Sequence, residues 1–450
     1  MRPSTSFGNF HELPNISTQD VQTDSIWKIP QVSLACFSVF ADVFSCSVII
    51  SVIPAWFKDI DFFDIKYSGL MFTAYSFGLI IGTPVFGWMH KYFSTNNKIF
   101  MILGFLGIIS GCIFQLLSKN LFLVVLGRFV QGFCGAVNWC CSVSLITTIS
   151  EGSRLHFLMQ ILLATNAIGF VLGPILGGIL YVYSGLGSIF YVCIGFSLIG
   201  VIFRLIVEDP EVMDFRSSNA TSLAVGKTQQ SLTTLTYFRI IADPVIAFST
   251  IISLLASVVI SSFIPVLPHI LDSVYGFSPL YIGFIFGSLF VPNMILSSPI
   301  SKIAEGYGPL KIIGMGLCIN IVSCFTIGPS KNIAFIICIL FAIGTSHTMT
   351  MTPLFQLNSK RTRLQNKTLV CLNASYAMGM LIGPVLGNYL YFQFGFLHLT
   401  MMQSIMLMIC LFLNIFINIC ITQRKRNRSG NSELSISPIQ VLSSKDDNRY

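Results

Sequence analysis

Asp42 is the residue of this sequence that could do chemistry inside a membrane. It lies eleven residues into an otherwise uncharged apolar segment that ends near Pro54, roughly 17 Å deep if the segment is a helix rising 1.5 Å per residue. A charge at that depth costs about 2.5 to 3.5 kcal/mol on insertion scales, so an acid there is a functional candidate. The carboxylate could bind a cation, exchange a proton, or do both. The alternatives are an ion pair with Arg128 and a neutral, hydrogen-bonded acid.

A second set of polar residues shares one face of a predicted helix. In the stretch "RFVQGFCGAVNW" (128–139), Arg128, Gln131 and Asn138 recur at helical spacing. Because a guanidinium keeps its charge, Arg128 must face a partner or a wet cavity. Three partners are open for it: Asp42, a pore, and backbone carbonyls. We predict that Arg128, Gln131 and Asn138 take part in substrate and proton coupling.

The second half of the chain offers polar groups without a carboxylate. His347 lies among hydroxyls and methionines in "GTSHTMTMTP" (344–353), and histidine titrates near neutral pH. Asn373 and Tyr376 lie one helical turn apart, so both could line the same cavity. We predict coupling roles for all three. The alternatives are a packing or pore-lining histidine and an asparagine that only hydrogen-bonds a neighbouring helix.

The composition requires a membrane protein. Of the 450 residues, 54% are hydrophobic and 10% are charged, whereas soluble chains carry about 25% charge. Residues 155–203 and 368–423 contain no charged side chain, and each run is long enough for two spans of about 20 residues. Splitting at charges and Gly/Pro turns predicts twelve spans, at 31–55, 68–88, 99–118, 121–149, 156–182, 188–207, 245–271, 279–301, 310–329, 332–355, 369–392 and 396–421.

Positive charge predicts the orientation of these spans. With both termini in the cytosol, 21 of the 26 basic residues fall on the cytosolic side, and Lys58, Lys66, Lys119 and Lys331 fall outside. This split favours two bundles of six helices. The predicted organisation is a cytosolic tail (1–30), a first bundle (31–207), a cytoplasmic linker (208–243), a second bundle (244–422) and a disordered cytosolic tail (423–450).

A repeated motif links the two predicted bundles. "LGPILGGILYVYSG" (172–185) and "IGPVLGNYLYFQFG" (382–395) share seven of fourteen residues, and "SVIISVIP" (47–54) resembles "SVVISSFIP" (257–265). An approximate tandem duplication with six spans in each half predicts pseudo-two-fold symmetry, with a substrate site between the halves. Small residues on one helix face allow close packing, and a proline bends the helix. The alternative is a packing seam with no role in motion. The residues assigned to this conformational motif are Gly169, Gly173, Pro174, Gly177, Gly178, Gly379, Gly383, Pro384 and Gly387.

Several classes of function find no support in the sequence. The nucleotide-binding pattern GxxxxGK[ST] is absent, and no metal-ligand spacing or catalytic set stands out among the thirteen scattered cysteines and six histidines. The net charge of +8 reflects topology and attraction to the inner leaflet. We therefore expect no enzyme activity, no cofactor or metal, and no nucleic-acid or nucleotide partner. The expected partners are a small substrate, protons and the lipid bilayer.

Residues 31–422 resemble the major facilitator superfamily of transporters. "GFVLGPILGG" (169–178) is similar to its antiporter motif in the fifth span, and "GRFVQG" (127–132) is similar to its fourth-span arginine motif. Within the superfamily the chain most resembles the vesicular amine transporters, in particular the polyamine branch. The spacing of Asp42 and Pro54 matches that family's first span, and "GPVLGNYLYFQFGF" is similar to the branch's eleventh span.

The resemblance has two departures. Lys91 in "FGWMHKYF" (86–93) stands where the family's loop normally carries an aspartate, and the polyamine branch has a similarly altered loop. Monoamine carriers have carboxylates in spans ten and eleven, where this chain has His347, Asn373 and Tyr376. The resemblance therefore implies proton-coupled export of a cation without carrying over the whole monoamine mechanism.

The sequence thus predicts a monomeric secondary carrier that works by alternating access. Asp42 binds a cation or a proton in competition, Arg128 tunes how readily the acid releases its proton, and cytosolic amine exchanges for lumenal protons. We expect a vesicle or another endomembrane as its location. Two alternatives remain open: a carrier of another solute, either drug-like or anionic, and a receptor or scaffold that binds its ligand without moving it.

Overall fold

The computed structural model describes residues 29–59, 64–93, 97–118, 120–150, 152–208, 243–359 and 365–434. These residues form helices and turns and contain no β-strand. The last helical stretch, Gln365–Leu434, is divided at Gly395, which has a left-handed φ of 83°, into α12 (365–394) and α13 (396–434). The other helices are α1 Ile29–Ser47, α2 Ile53–Asp59, α3 Ser68–Phe93, α4 Asn97–Leu117, α5 Leu121–Ile149, α6 Gly152–Ser184, α7 Leu186–Ile206, α8 Pro244–Ser273, α9 Pro279–Tyr307, α10 Pro309–Ile327 and α11 Ile333–Ser359.

Within the described residues, twelve segments can cross a bilayer. Eleven helical stretches are long and apolar enough, and one of them, Cys371–Cys420, is 50 residues long and contains the break at Gly395. Since one crossing takes about 20 residues, that stretch holds two crossings. The predicted all-α fold with twelve membrane helices is confirmed.

The predicted segment boundaries agree only in part with the helices. α1 begins at Ile29, inside the predicted tail 1–30, and α13 continues to Leu434, beyond the predicted end of the second bundle at 422. The linker predicted at 208–243 lies outside the described residues except for its two end positions. The remainder of both predicted tails, residues 1–28 and 435–450, also lies outside them.

The first span differs from the prediction of one helix over 31–55. α1 ends at Ser47 and α2 begins at Ile53, so the span is broken at 48–52. In the break the N–H groups of Ile50 and Val52 donate to carbonyls three residues earlier, both at 3.0 Å, which tightens the backbone beyond an α-helix. Pro54 is the second residue of α2, where its missing N–H interrupts no helical bond.

The two halves of the chain pack their helices in the same pattern. In the first half α1 packs on α6, α3 on α5, and α4 on both α5 and α7. In the second half α8 packs on α12, α9 on α11, and α10 on both α11 and α13. Each helix contact of the first half recurs in the second half between the helices six spans later in the chain. This is the arrangement expected of duplicated six-helix bundles.

The halves meet through two seams, α3 against α12 and α6 against α9. We call the end of the molecule that holds α2 the outer end and the opposite end the inner end. A Cβ added at Gly283 in α9 would collide with the carbonyl oxygen of Pro174, and one added at Gly69 in α3 would lie 2.6 Å from that of Pro384. Both contacts lie in the outer half of their helices, so the described seams close the outer end.

Candidate functional site

Asp42 lies in the interior of the first bundle. Its side chain is 6% exposed, and its two carboxylate oxygens accept a hydrogen bond from the Tyr75 hydroxyl of α3 at 3.2 and 3.1 Å. A Cβ at Gly135 of α5 would collide with the same carboxylate, so the backbone of α5 approaches Asp42 closely at this glycine. The acid is therefore held between α1, α3 and α5, away from lipid.

Arg128 does not form an ion pair with Asp42. The ion pairs within 4.0 Å among the described residues are Lys58–Asp272 and Lys66–Asp64. The guanidinium is 0% exposed and its Nη1 donates to the backbone carbonyl of Ser45 at 3.3 Å. Of the three partners left open by the sequence, the structure thus brings Arg128 to a backbone carbonyl.

This contact follows from the break in the first span. Ser45 lies in the last turn of α1, where carbonyls lack a donor from the following turn. A cation is also favoured at a helix carboxyl end by the helix dipole. Arg128 further donates to Gln131 Oε1 at 3.1 Å, while its Nε and Nη2 have no hydrogen-bond partner among the described residues. The first bundle therefore holds a buried cation that is only partly satisfied.

Gln131 and Asn138 lie on the side of α5 that faces α4. Gln131 Nε2 donates to Cys112 Sγ at 3.1 Å, and the Asn138 amide packs against Gly104. The Asn138 amide atoms have no hydrogen-bond partner within the part of the chain that the structure describes. The structure therefore does not bring these two side chains to Asp42, although all lie in the first bundle.

His347 and Tyr376 lie together in the second bundle. The His347 side chain is 6% exposed, and its Nε2 is buried without a hydrogen-bond partner in the described ranges. Its ring centroid lies 6.3 Å from that of Tyr376 on α12. Asn373 lies one turn earlier on α12 and is exposed.

Tyr75 is the site residue that the sequence reasoning missed. It stands in the apolar stretch "MFTAYSFG" (71–78) at no recognisable spacing from Asp42. The available signal is chemical, because a buried tyrosine hydroxyl usually finds a hydrogen-bond partner. Asp42, an acid in another span with no partner assigned from the sequence, was a candidate acceptor for the Tyr75 hydroxyl.

The two glycine-proline motifs lie on equivalent sides of the molecule. Gly169, Gly173 and Gly177 of α6 face α1, where Ser47 Oγ donates to the Gly169 carbonyl at 3.0 Å. Gly379, Gly383 and Gly387 of α12 face α8, where Ser261 Oγ donates to the Gly379 carbonyl at 3.1 Å. The predicted packing role of these glycines is therefore visible in both halves.

The remaining motif residues turn toward the opposite half. Gly178 packs against the backbone of Pro279 at the start of α9, and the carbonyls of Pro174 and Pro384 face Gly283 and Gly69. Each motif helix thus touches its own bundle on one side and the other bundle on the other side. Such a helix can transmit a change in one half to the other half.

The two seams between the halves differ in chemistry. Across α3 and α12, Thr73 Oγ1 donates to the Leu381 carbonyl at 2.9 Å and Ser76 Oγ donates to the Met380 carbonyl at 3.1 Å. Across α6 and α9, Phe170 and Phe290 stack with centroids 5.0 Å apart. At the outer end Lys58 and Asp272 form an ion pair of 2.7 Å between the halves.

No group of three or more His, Cys, Asp and Glu side chains that could hold a metal occurs in the part of the chain that the structure describes. The arrangement at Asp42 can instead bind a cation or hold a proton, because a carboxylate accepts either. Its enclosure by three helices excludes bulk water, which strengthens electrostatic interactions there.

Comparison with known proteins gives consistent results. The sequence profile of the Major Facilitator Superfamily matches residues 35–370. The MFS-type transporter ppzB of Metarhizium rileyi is 20% identical over 436 residues, which cover 81% of this chain and 89% of that protein. The uncharacterized MFS-type transporter C18.02 of Schizosaccharomyces pombe is 21% identical over 435 residues, which cover 87% of this chain and 96% of that protein.

Solved structures share the fold at low sequence identity. A bacterial homolog of the human lysosomal transporter Spinster, in an inward-facing and unoccupied conformation, gives a TM-score of 0.69 at 14% identity over 87% of this chain and 96% of its own. A mutant of the nucleoside transporter NupG gives 0.68 at 12% identity over 86% and 99%. The human organic anion transporter MFSD10 gives 0.64 at 14% identity over 86% and 99%.

Proposed function

The chain belongs to the Major Facilitator Superfamily and is a membrane transporter, and we propose that it exchanges small organic cations of the cytosol for protons by alternating access. The substrate class is an amine, in keeping with the resemblance to vesicular amine and polyamine carriers. An acidic vesicle or another endomembrane would supply the proton gradient. Because one chain supplies both halves, a monomer suffices for this cycle.

The observation that carries the proposal is the single enclosed acid. Among the described spans, Asp42 is the carboxylate that lies within the membrane interior, whereas Asp59, Asp272 and Glu305 lie near helix ends. One carboxylate balances either one proton or one cationic centre, and it cannot hold both. Competition of this kind couples the movement of a proton from the lumen to the cytosol to the movement of a cation from the cytosol to the lumen.

Alternating access draws support from the two seams. The described contacts between the halves lie at the outer end, and both termini are proposed to be cytosolic, so this arrangement would receive substrate from the cytosol. The equivalent α3–α12 and α6–α9 seams would then part while contacts form at the inner end. Rocking of two similar bundles around a fixed midplane site is the motion that such repeats permit.

The test is flux in proteoliposomes with an imposed pH gradient. Asp42→Asn should abolish amine uptake driven by the gradient, at unchanged protein level and unchanged elution in size-exclusion chromatography. The control is Asp64→Asn, because Asp64 is 47% exposed and pairs with Lys66 at the surface. Unchanged uptake in Asp42→Asn overturns the proposed role of the acid.

A second candidate is a carrier for anions. The buried Nε and Nη2 of Arg128 have no hydrogen-bond partner among the described residues, which favours an anionic ligand near α1 and α5. Counterflow with matched panels of amines and carboxylates separates the two candidates. Exchange of carboxylates that Arg128→Gln eliminates, with no exchange of amines, would establish the anion carrier instead.

A further inference from the structure

The glycine contacts define which residues of the two halves are equivalent. A Cβ at Gly132 of α5 would collide with the Tyr75 carbonyl of α3, and one at Gly344 of α11 would collide with the Leu289 carbonyl of α9. Gly104 faces Asn138 as Gly316 faces Thr350. Both comparisons relate α5 to α11 by a displacement of 212 residues.

The first span is equivalent to α8. Gly173 faces Ser47 as Gly383 faces Ser261, and each serine donates to the carbonyl of the glycine four residues before. The displacement here is 214 residues. Asp42 is therefore equivalent to Ala256, which is buried in α8.

With these equivalences, Gly135 and His347 occupy matching positions. In the first half the polar side chain comes from the first span, and Gly135 on α5 makes room for it. In the second half Ala256 on α8 is small, and the polar side chain, His347, comes from α11. Pseudo-two-fold symmetry thus puts Asp42 and His347 at the same depth on opposite sides of the axis between the halves.

The charged Arg128 and the hydroxyl-bearing Tyr75 of the first half have apolar counterparts. Arg128 is matched by Leu340 and Tyr75 by Leu289, both buried. α11 carries no charged residue, and in α8 the acid is Asp272, the penultimate residue at its outer end. In the second half the His347 imidazole, whose buried Nε2 has no hydrogen-bond partner among the described residues, lies beside the Tyr376 ring.

From this asymmetry we infer that the substrate carries a single positive charge, bound by Asp42, and a hydrogen-bonding or aromatic end that His347 and Tyr376 recognise. The inference rests on the proposed function and specifies its substrate. A diamine or polyamine would leave its second ammonium group buried without an anionic partner, which is strongly unfavourable. An imidazole and a phenol instead match a hydroxyl group and a ring face.

The experiment measures counterflow of four amines in proteoliposomes: a hydroxyphenyl-ethylamine, its analogue without the hydroxyl, a linear alkylamine, and an α,ω-diamine. The wild-type protein should prefer the hydroxyphenyl compound over the alkylamine by about tenfold, the effect of one good hydrogen bond. His347→Ala should reduce this preference to below about twofold.

A gain of function tests the charge argument. His347→Asp adds a second carboxylate at the matching depth and should make the diamine a substrate, whereas the uncharged control His347→Asn should not. If His347→Asp does not fold, Tyr376→Asp places the acid on α12 beside the same position.

Different flux results would overturn amine transport itself and the preference for a singly charged amine with a hydroxyl or aromatic end. Absence of flux for all four amines overturns the proposed function. Amine flux in which the wild-type protein carries the diamine as well as the monoamine, or in which His347→Ala keeps the hydroxyphenyl preference, overturns this inference and leaves the proposed function intact.

Discussion

The two halves of the molecule share a helix-packing framework but differ in the chemistry it encloses. Ser47 and Ser261 bind the carbonyls of equivalent glycines at 3.0 and 3.1 Å, so the α1–α6 and α8–α12 contacts are nearly the same. Around them, the first half encloses Asp42 and Arg128, whereas the second half has Ala256 and Leu340 in their places.

This difference in enclosed side chains indicates which positions of a duplicated membrane protein can be substituted in one half alone. A side chain at any of the seam glycines would meet a neighbouring helix, so these positions are constrained in both copies. The positions of Asp42 and Arg128 are not constrained in this way, since the equivalent positions of the second half hold Ala256 and Leu340. One copy can therefore keep a charged cluster while the other supplies uncharged recognition.

The strongest test of the difference between the halves exchanges the residues at the matched positions 135 of α5 and 347 of α11. Gly135→His should lower amine flux by at least about a hundredfold, because the ring would displace the Asp42 carboxylate and small misplacements at a site carry costs of that size. His347→Gly should leave alkylamine flux within about threefold. Proteoliposome uptake normalised to folded protein measures both, and equal losses would contradict the asymmetry.

Because the two halves share one packing framework, substitution of an equivalent glycine should reduce stability equally in both halves. Gly173→Ala and Gly383→Ala place a methyl group 2.9 Å from Ser47 Cβ and 3.2 Å from Ser261 Cβ, and overpacking of this kind costs about 1 to 3 kcal/mol. We expect similar decreases in thermal stability in detergent. Gly195→Ala is the control, because a Cβ there meets nothing within 4 Å. A loss on one side alone would show that the α1–α6 and α8–α12 contacts are not equivalent.

The smallest expected effect comes from the Tyr75 hydroxyl that donates to the Asp42 carboxylate. Tyr75→Phe removes a hydrogen bond to the carboxylate, worth about 1.5 kcal/mol for a charged acceptor, or about tenfold in cation affinity. The half-saturation concentration of an alkylamine measures it. Tyr376→Phe, the matched change in the second half, should leave alkylamine affinity unaltered, and a tenfold effect there would blur the distinction between the halves.

The sequence predicted the number of spans because hydropathy and the long uncharged runs leave little freedom. It also predicted that the two glycine-proline motifs belong to one duplicated framework, since identical small residues recur at the same spacing. The contact of Asp42 with Tyr75 could not be predicted, because it joins residues 33 apart on separate helices whose relative rotation is set by packing. The different exposure of Asn373 and Tyr376 could not be predicted either, because a spacing of one turn fixes a helix face only approximately.

The alignment of the two halves shows a further limit. Matching "SVIISVIP" (47–54) with "SVVISSFIP" (257–265) pairs Ser47 with Ser257, whereas the contacts pair Ser47 with Ser261, one helical turn later. The first span is broken at 48–52, while α8 remains helical through Pro265 and Pro268. A change in backbone geometry, invisible in residue identities, accounts for the shift.

The break at 48–52 also separates two tasks within one span. Asp42 lies before it on α1, and Lys58, which grips Asp272 of the other half, lies after it on α2. The intervening residues are buried, and Ser51 Oγ donates to the Pro174 carbonyl of α6 at 2.7 Å. The broken first span therefore anchors the proline of the α6 motif midway between the acid and the outer ion pair, whereas the second half has the continuous helix α8 in that place.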